Sequence, residues 1–551
     1  VENYQPFLIA DFKTGLDLGI EPWLLPKDAF ATFEDGFVHR GAIEKREGYS
    51  KLVATEETGA ITGIFSRIEE SDGTKTLLVT DIDWLYKYNT TLGVLSKVFH
   101  STDTVEACVF EDTVGCEWTD TAGCEFTTLY DYGENFSGDS TNLVDWENLN
   151  GVVYMTDNAG VLQSYDGTTF QEFKPEVAGG ADYVNKAAHI MVSHERVILF
   201  NTDETTDGRR AQRARWCKPV TSPGAALDFT NDGWVDAPTS EWIRGATYFK
   251  NDIIVWFDKS VWFLRYTGNY ELPFRWEKIS GIDGCSAPFS AVEFQDQGMA
   301  LGKSGLIFCD GLQVQSIVSK IPDLSLAFSS KNIETCYSAV FEDLKQLWTL
   351  YPYSDATQPN RVLVLQYEDW SWSIYNLSFQ CLGFYESSDT LTWEEVTETW
   401  VENNTPWVSN TAQSEYPVAL AGDNAGTVWK LNNTGTDGAS SAIGFKVMSG
   451  QWNPFKEKGL KTRFGYVDFL VSTGDYELDV DFFKDMDTVA WKTETLDFNQ
   501  GGDKAWVRIF VNAVSNFHRL QIRTPSSGVS NQSIKIHAIR PWFAQAGRTT
   551  I

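Results

Sequence analysis

Along most of this chain apolar and polar residues alternate, and stretches with helical spacing are few. From about Ile61 to Asn433 the pattern predicts short strands separated by turns. Three stretches share one design: "TDNAGVLQSYDG" (Thr156–Gly167), "GKSGLIFCDG" (Gly302–Gly311) and "GDNAGTVWKLNN" (Gly422–Asn433). Each has a small polar turn, a run of apolar or aromatic residues, and a second turn. Looser versions begin at Thr80, Phe257 and Tyr367. Such a phrase predicts the hairpin joining the second and third strands of a small antiparallel unit. Anchors at Asp83, Gly160, Ser260, Gly305, Asp369 and Gly426 are spaced by 77, 100, 45, 64 and 57 residues. The shortest gap fits a four-stranded propeller blade of about 40–50 residues. The longest has room for a further blade around "HIMVSHERVILFNTDE" and "RARWCKP".

The expected architecture is therefore all-β: a propeller of six or seven blades over residues 61–433, with inserted loops at about 101–140 and 387–415. Residues 1–60 form an N-terminal extension with closing strands. In it "GIEPWLLPKDAFATFEDGFV" predicts one short helix stopped near Gly36, and "HRGAIEKREGYSKL" a strand–turn–strand. Two consecutive β-sandwiches are the alternative to a propeller. After Asn433 six longer strands lack the phrase and predict a C-terminal β-sandwich over 434–551. In "YELDVDFF", Tyr476, Leu478, Val480 and Phe482 share one face, and Glu477, Asp479 and Asp481 the other. Three carboxylates in a row suit either a solvated face or a Ca²⁺ ladder.

Composition narrows the function. The net charge of −32 argues against a general nucleic-acid-binding surface, which needs clustered Lys and Arg. No apolar run approaches a membrane span; "IIVWF" (Ile253–Phe257) is typical of the longest. No basic segment precedes an apolar one at the start, so a soluble, cytoplasmically made chain with reduced thiols is expected. Cys108, Cys116 and Cys124 recur every eight residues in a tandem repeat that lacks the CxxC pairing of a zinc site. They mark an inserted loop.

Candidate chemistry is sparse. "GMALGKSG" lacks the first Gly of a phosphate-binding loop and runs into a strand, which makes it a hairpin turn. "SYDGTTF" approaches the Asp-box of sialidase-like propellers, itself a structural turn. No metal-, serine- or cysteine-type catalytic motif appears among the six histidines, and no cofactor, metal site or enzymatic activity is expected. Arg209, Arg210, Arg213 and Arg215 in "RRAQRARW" form the one basic cluster, a candidate interface for salt bridges within or between subunits.

The stretch "FKTGLDLGIEPWLLPKDAFATFEDGFVHRGAIEKREGY", followed by "RARWCKP…LDF", "DGWVDAP" and the Gly-x-x-x-x-Asp-Gly turns, resembles hub or nozzle proteins of short-tailed phages, of the packaged-DNA stabilisation type. The likeness preserves order over most of the chain. It departs at the Cys108–Cys124 repeat and at the acidic segment Thr390–Asn404. It implies a virion-tail protein assembled in the host cytoplasm as a six-fold ring, contacting portal-side adaptors and tail fibres or spikes. Double-stranded DNA would pass through its lumen without sequence-specific binding. In that setting lumen carboxylates would repel phosphate, and the Cys108–Cys124 loop is a candidate gate. A glycan-binding or glycan-cleaving propeller, directed at a receptor, is the alternative; a propeller scaffold for other protein partners is a third reading.

Overall fold

A computed structural model describes residues 4–548, apart from 55–56, 58, 70–72, 91, 101–135, 179–181, 222–225, 231–232, 282, 304, 318–319, 322–330, 387–416, 439 and 526–532. Cys108, Cys116, Cys124 and the segment 390–404 lie outside the described residues. The fold is all-β, with no α-helix among the described residues. It divides into two compact units, Phe65–Pro238 and the remainder, Val1–Ile64 with Thr239–Ile551.

The unit Phe65–Pro238 is a run of antiparallel sheets in sequence order. The first has its strands at Gly63–Ile68, Lys75–Thr80, Leu85–Asn89 and Val94–Val98; the second at Asp145–Leu149, Val152–Thr156, Gln163–Tyr165 and Phe170–Glu172. The third is built round the long hairpin Arg196–Glu204 and Gly208–Trp216, where the sequence left room for a unit without the phrase. Neighbouring sheets share cores. Phe65, Leu78 and Leu85 pack with Val153, Met155 and Phe170, while Tyr154 and Leu162 pack with Ile190, Val197 and Leu199.

The other unit continues the pattern with four-stranded meanders at 243–279, 292–316 and 337–375. Their middle strands, such as Asp252–Phe257 and Gly305–Cys309, are buried on both faces, so they read as unbroken apolar runs. Outer strands such as Val314–Ser316 and Phe274–Ile279 carry the polar residues that keep a sheet edge from pairing elsewhere. Among the described residues the last meander has three strands of its own, Cys381–Tyr385, Val418–Gly422 and Val428–Thr434. Its fourth is supplied by the N-terminal segment.

That segment forms β1 (Ala29–Glu34), β2 (Gly36–His39), β3 (Ala42–Lys45) and β4 (Gly48–Lys51). The short helix expected near Gly36 is absent: β1 pairs antiparallel with β5 (Lys446–Ser449), and this long-range pairing overrides the local preference of "KDAFATFE". The strand–turn–strand is present. Arg40 and Gly41, with φ of 50° and 75°, close the β2–β3 hairpin in two residues, as a left-handed hairpin turn requires. The C-terminal strands are β6 (Leu460–Ser472), β7 (Glu477–Lys484), β8 (Lys492–Asp497), β9 (Lys504–Ser515), β10 (His518–Arg523) and β11 (Lys535–Arg548). They make two layers over a common core. One layer is ordered β2-β3-β11-β6-β9, and in the other β1-β5-β10-β7-β8 extend the 337–375 meander. Phe464, Val467 and Phe543 of the first layer meet Val480, Phe482 and Ile522 of the second.

Candidate functional site

The quoted phrases fall on turns between strands, and their aspartates explain the repetition. The Asp157 carboxylate accepts the backbone N–H groups of Ala159 and Gly160 at 3.0 and 2.7 Å. Asp81 accepts those of Asp83 and Trp84, and Asp423 those of Ala425 and Thr427. In each case the turn joins the second and third strands. The Asp-Gly ends act likewise between third and fourth strands: Asp166 accepts Thr168 and Thr169 N–H, and Asp310 accepts Leu312 and Gln313 N–H. Asp369 sits at a third-to-fourth-strand turn rather than the expected one. Gly302 and Gly305 of "GKSG" pair with each other where the strands Gln297–Gly302 and Gly305–Cys309 meet, so a strand follows. These are backbone caps, and part of the acidity of the chain goes into them.

The N-terminal motif builds a buried joint. Asp35, at φ 53°, and Arg46 both have backbone polar groups turned to each other, and the Arg46 guanidinium is 3% exposed. Its Nε donates to Asp35 Oδ1 at 2.6 Å, and its two terminal nitrogens donate to both Asp437 oxygens at 2.7 Å. Asn376 donates to Asp35 through its backbone and its side chain. One guanidinium thus ties β1, the strand-ending Asn376 and the loop after the last meander. Burial pushes the neighbouring Lys45 ammonium down to about 8, with Arg46 adding to the effect. Gly48 is required, because a Cβ there would lie 2.0 Å from the Thr436 carbonyl oxygen. The Tyr49 ring packs edge-on against Phe379 and Trp429.

The basic cluster faces inward in part. Arg213, 2% exposed, binds Glu204 at 2.8 Å, Asp207 at 2.7 Å and Asp236 at 2.9 Å. Arg215 is bidentate to Glu204. Arg209 donates to Asn201 and Asn158, while the half-exposed Arg210 lies 3.3 Å from Asp207. Two of the three carboxylates of "YELDVDFF" also have a partner on the chain: Arg523 of β10 lies 2.9 Å from Asp479 and 2.7 Å from Asp481. Among the described residues no three His, Cys, Asp or Glu side chains are grouped as metal ligands.

A polar cleft of about 330 Å³ is lined by Asp11, Lys13, Arg40, Gly41, Glu368 and Asp369. Lys13 lies 3.5 Å from Asp11 and 4.0 Å from Asp369. Burial pushes the Asp369 carboxyl up, Lys13 opposes this, and Glu368 and Asp11 reinforce it. Gly41 leaves room for Asp11, whose Oδ1 would lie 2.9 Å from a Cβ. Sequence reasoning missed this cleft, because its residues come from two segments more than three hundred positions apart.

No protein-family model and no curated protein matches the chain. Among solved structures it is similar to an exo-β-1,3-galactanase of Phanerochaete chrysosporium with galactose, at 8% identity and a TM-score of 0.23, over 72% of this chain and 95% of that one. It is similar also to a glycoside hydrolase family 43 arabinoxylan arabinofuranohydrolase of Bacillus subtilis with cellotetraose (9%, TM-score 0.25, 98% and 100%). A third is the extracellular domain of a one-component system from B. thetaiotaomicron (9%, TM-score 0.35, 92% and 61%). The expectation that the chain has no enzymatic activity is corrected here, since glycoside hydrolases stand among the structures it resembles. At these scores the likeness transfers neither substrate nor catalytic residues.

Proposed function

We propose that the chain is the structural subunit of a closed ring, a short-tail nozzle or hub of the type its N-terminal motif resembles, built on a seven-bladed propeller. The observation that carries this reading is the way the last meander is completed. β4, part of the "RGAIEKREGY" motif, is the fourth strand beside Val428–Thr434, and Arg46 bolts it to Asp437. Joining the two ends of a run of sheets is how a propeller closes its circle. Three sheets in one unit and four meanders in the other, leaving aside the β2-β3-β11-β6-β9 layer, are the candidate blades of this reading, and within each unit neighbouring sheets share apolar cores. The motif's residues are then the clasp of the fold.

In this reading part of the net charge of −32 lines the lumen and keeps DNA from adhering, by repulsion that acts over roughly 8 Å. The six-fold ring, the adaptor and fibre partners and the virion-tail location follow from the resemblance. Negative-stain microscopy with mass measurement of the purified chain is the test. Closed rings with a central channel are expected, and a monodisperse monomer over the micromolar range would overturn the proposal.

The cleft favours a second reading, glycan-directed chemistry. It holds three carboxylates around one ammonium, and Asp369 is shifted toward the protonated state that a general acid needs. Release of reducing sugar from a polysaccharide panel, abolished in Asp369→Asn, would establish it.

A further inference from the structure

The negative charge is unevenly distributed. Residues 1–433 carry 30 Lys and Arg against 64 Asp and Glu, whereas residues 434–551 carry 14 against 12. Within that near-neutral C-terminal segment, the outer face of β9, β6 and β11 has an unusual surface. β9 is the edge strand of its layer; Ile509, Val511 and Ala513 point into the core, while Trp506 (45% exposed), Phe510 (66%) and Val514 (43%) point out.

Register sets these residues in cross-strand rows. Phe510 lies opposite Tyr466, which lies opposite Trp542; Arg508 lies opposite Asp468, which lies opposite Arg540. Asp468, 3% exposed, is the hub. It accepts Arg508 Nε at 2.6 Å, Arg540 Nη2 at 3.0 Å and Trp542 Nε1 at 2.9 Å. Each guanidinium also lies over a ring, Arg508 4.2 Å from the Tyr466 centroid and Arg540 4.3 Å from that of Trp506. The side chains are therefore held in place before any partner arrives, which lowers the entropic cost of docking.

Trp, Tyr and Arg round a desolvated centre are the residue types that dominate protein–protein contacts. A guanidinium lies over one face of Tyr466 and another over one face of Trp506, which narrows the open ring surface a sugar platform would use. Two guanidiniums against one carboxylate leave the face locally cationic, on a chain whose other 433 residues are strongly acidic. The complementary net charge is carried by residues 1–433 of another copy of the same chain. A contact between two different patches is heterologous, the kind that closes into rings.

We propose that the outer face of β6, β9 and β11 docks against the acidic 1–433 portion of a neighbouring copy. This rests on the ring reading and names its contact. The test uses the full chain: light scattering and native mass spectrometry of the wild type, of Trp506→Ser/Phe510→Asp, and of Phe510→Leu as control. The double variant should lose at least about 30-fold in association constant, with unchanged circular dichroism and thermal unfolding. The control should assemble, and raising salt from about 0.05 to about 0.5 M should weaken the wild type. Rings that survive the double substitution would overturn this contact and leave the ring reading standing. Assemblies that are not rings, yet are lost in the double variant, would uphold the contact and overturn the ring. A wild-type monomer overturns both, and polysaccharide binding lost with Trp506→Ser would then make the face a glycan site.

Discussion

At the scale of single residues, the most consequential side chain is Arg46. It is buried, and its donors are committed to Asp35, Asp437 and the Glu47 carbonyl. Removing one partner of a buried charge network strands the others, at a cost of about 3–5 kcal/mol. Arg46→Ala should therefore lower unfolding stability by that amount in urea titrations. Arg46→Lys should recover little, because an ammonium cannot form the planar pair of hydrogen bonds to Asp437. Sequence reading picked out Arg46 within a motif but not its role, since Asp437 lies 391 positions away. His518 makes a second residue-scale prediction. Its ring is buried, and burial holds its pKa below the ordinary 6.5. Below 6.5 the unfolded chain takes up the proton first, so the stability contributed is complete above 6.5 and declines as pH falls toward the folded value. Burial shifts His537 in the same direction, with Lys504 adding to it. Urea midpoints should fall between about pH 7 and pH 5, and His518→Gln should reduce that slope.

At the scale of elements, the repeated phrase is turn chemistry. An aspartate that caps two N–H groups two to four residues on needs no distant partner, which is why the hairpins were legible in sequence. Asp157→Ala and Asp423→Ala should each cost about 1–2 kcal/mol, the range for losing a side-chain cap on orphan backbone donors. Both can be read from chemical denaturation. The helix expected before Gly36 shows the opposite case. Pairing with Lys446–Ser449 overrides the local preference of "KDAFATFE" and makes Ala29–Glu34 a strand. The closing strand carries its own test: Gly48→Ala sets a methyl against the Thr436 carbonyl and should loosen β4. Hydrogen exchange should then rise at Lys51 and Leu52, the β4 end that pairs with the last meander.

At the scale of the whole molecule, charge and thiols give the remaining prediction. Cys285, Cys309, Cys336 and Cys381 are free and buried, and burial pushes the first two up to about 11 and Cys381 to about 12. A chromogenic disulfide reagent at pH 8 should leave these four unmodified in the native protein and titrate them after denaturation. Hydrophobic periodicity and local turn residues determined that this chain is all-β, that its strands come in short antiparallel groups, and that the grammar changes after Asn433. Those signals lie within a few residues of one another, so one sequence carries them. What only the tertiary structure decided are the pairings that cross the chain. β4 completes the last meander, Arg46 finds Asp437, and Asp468 gathers Arg508, Arg540 and Trp542 into one face. Each depends on which distant segments share a buried environment, where an unpaired charge is too costly to leave alone, and strand alternation by itself does not say which strand lies alongside which.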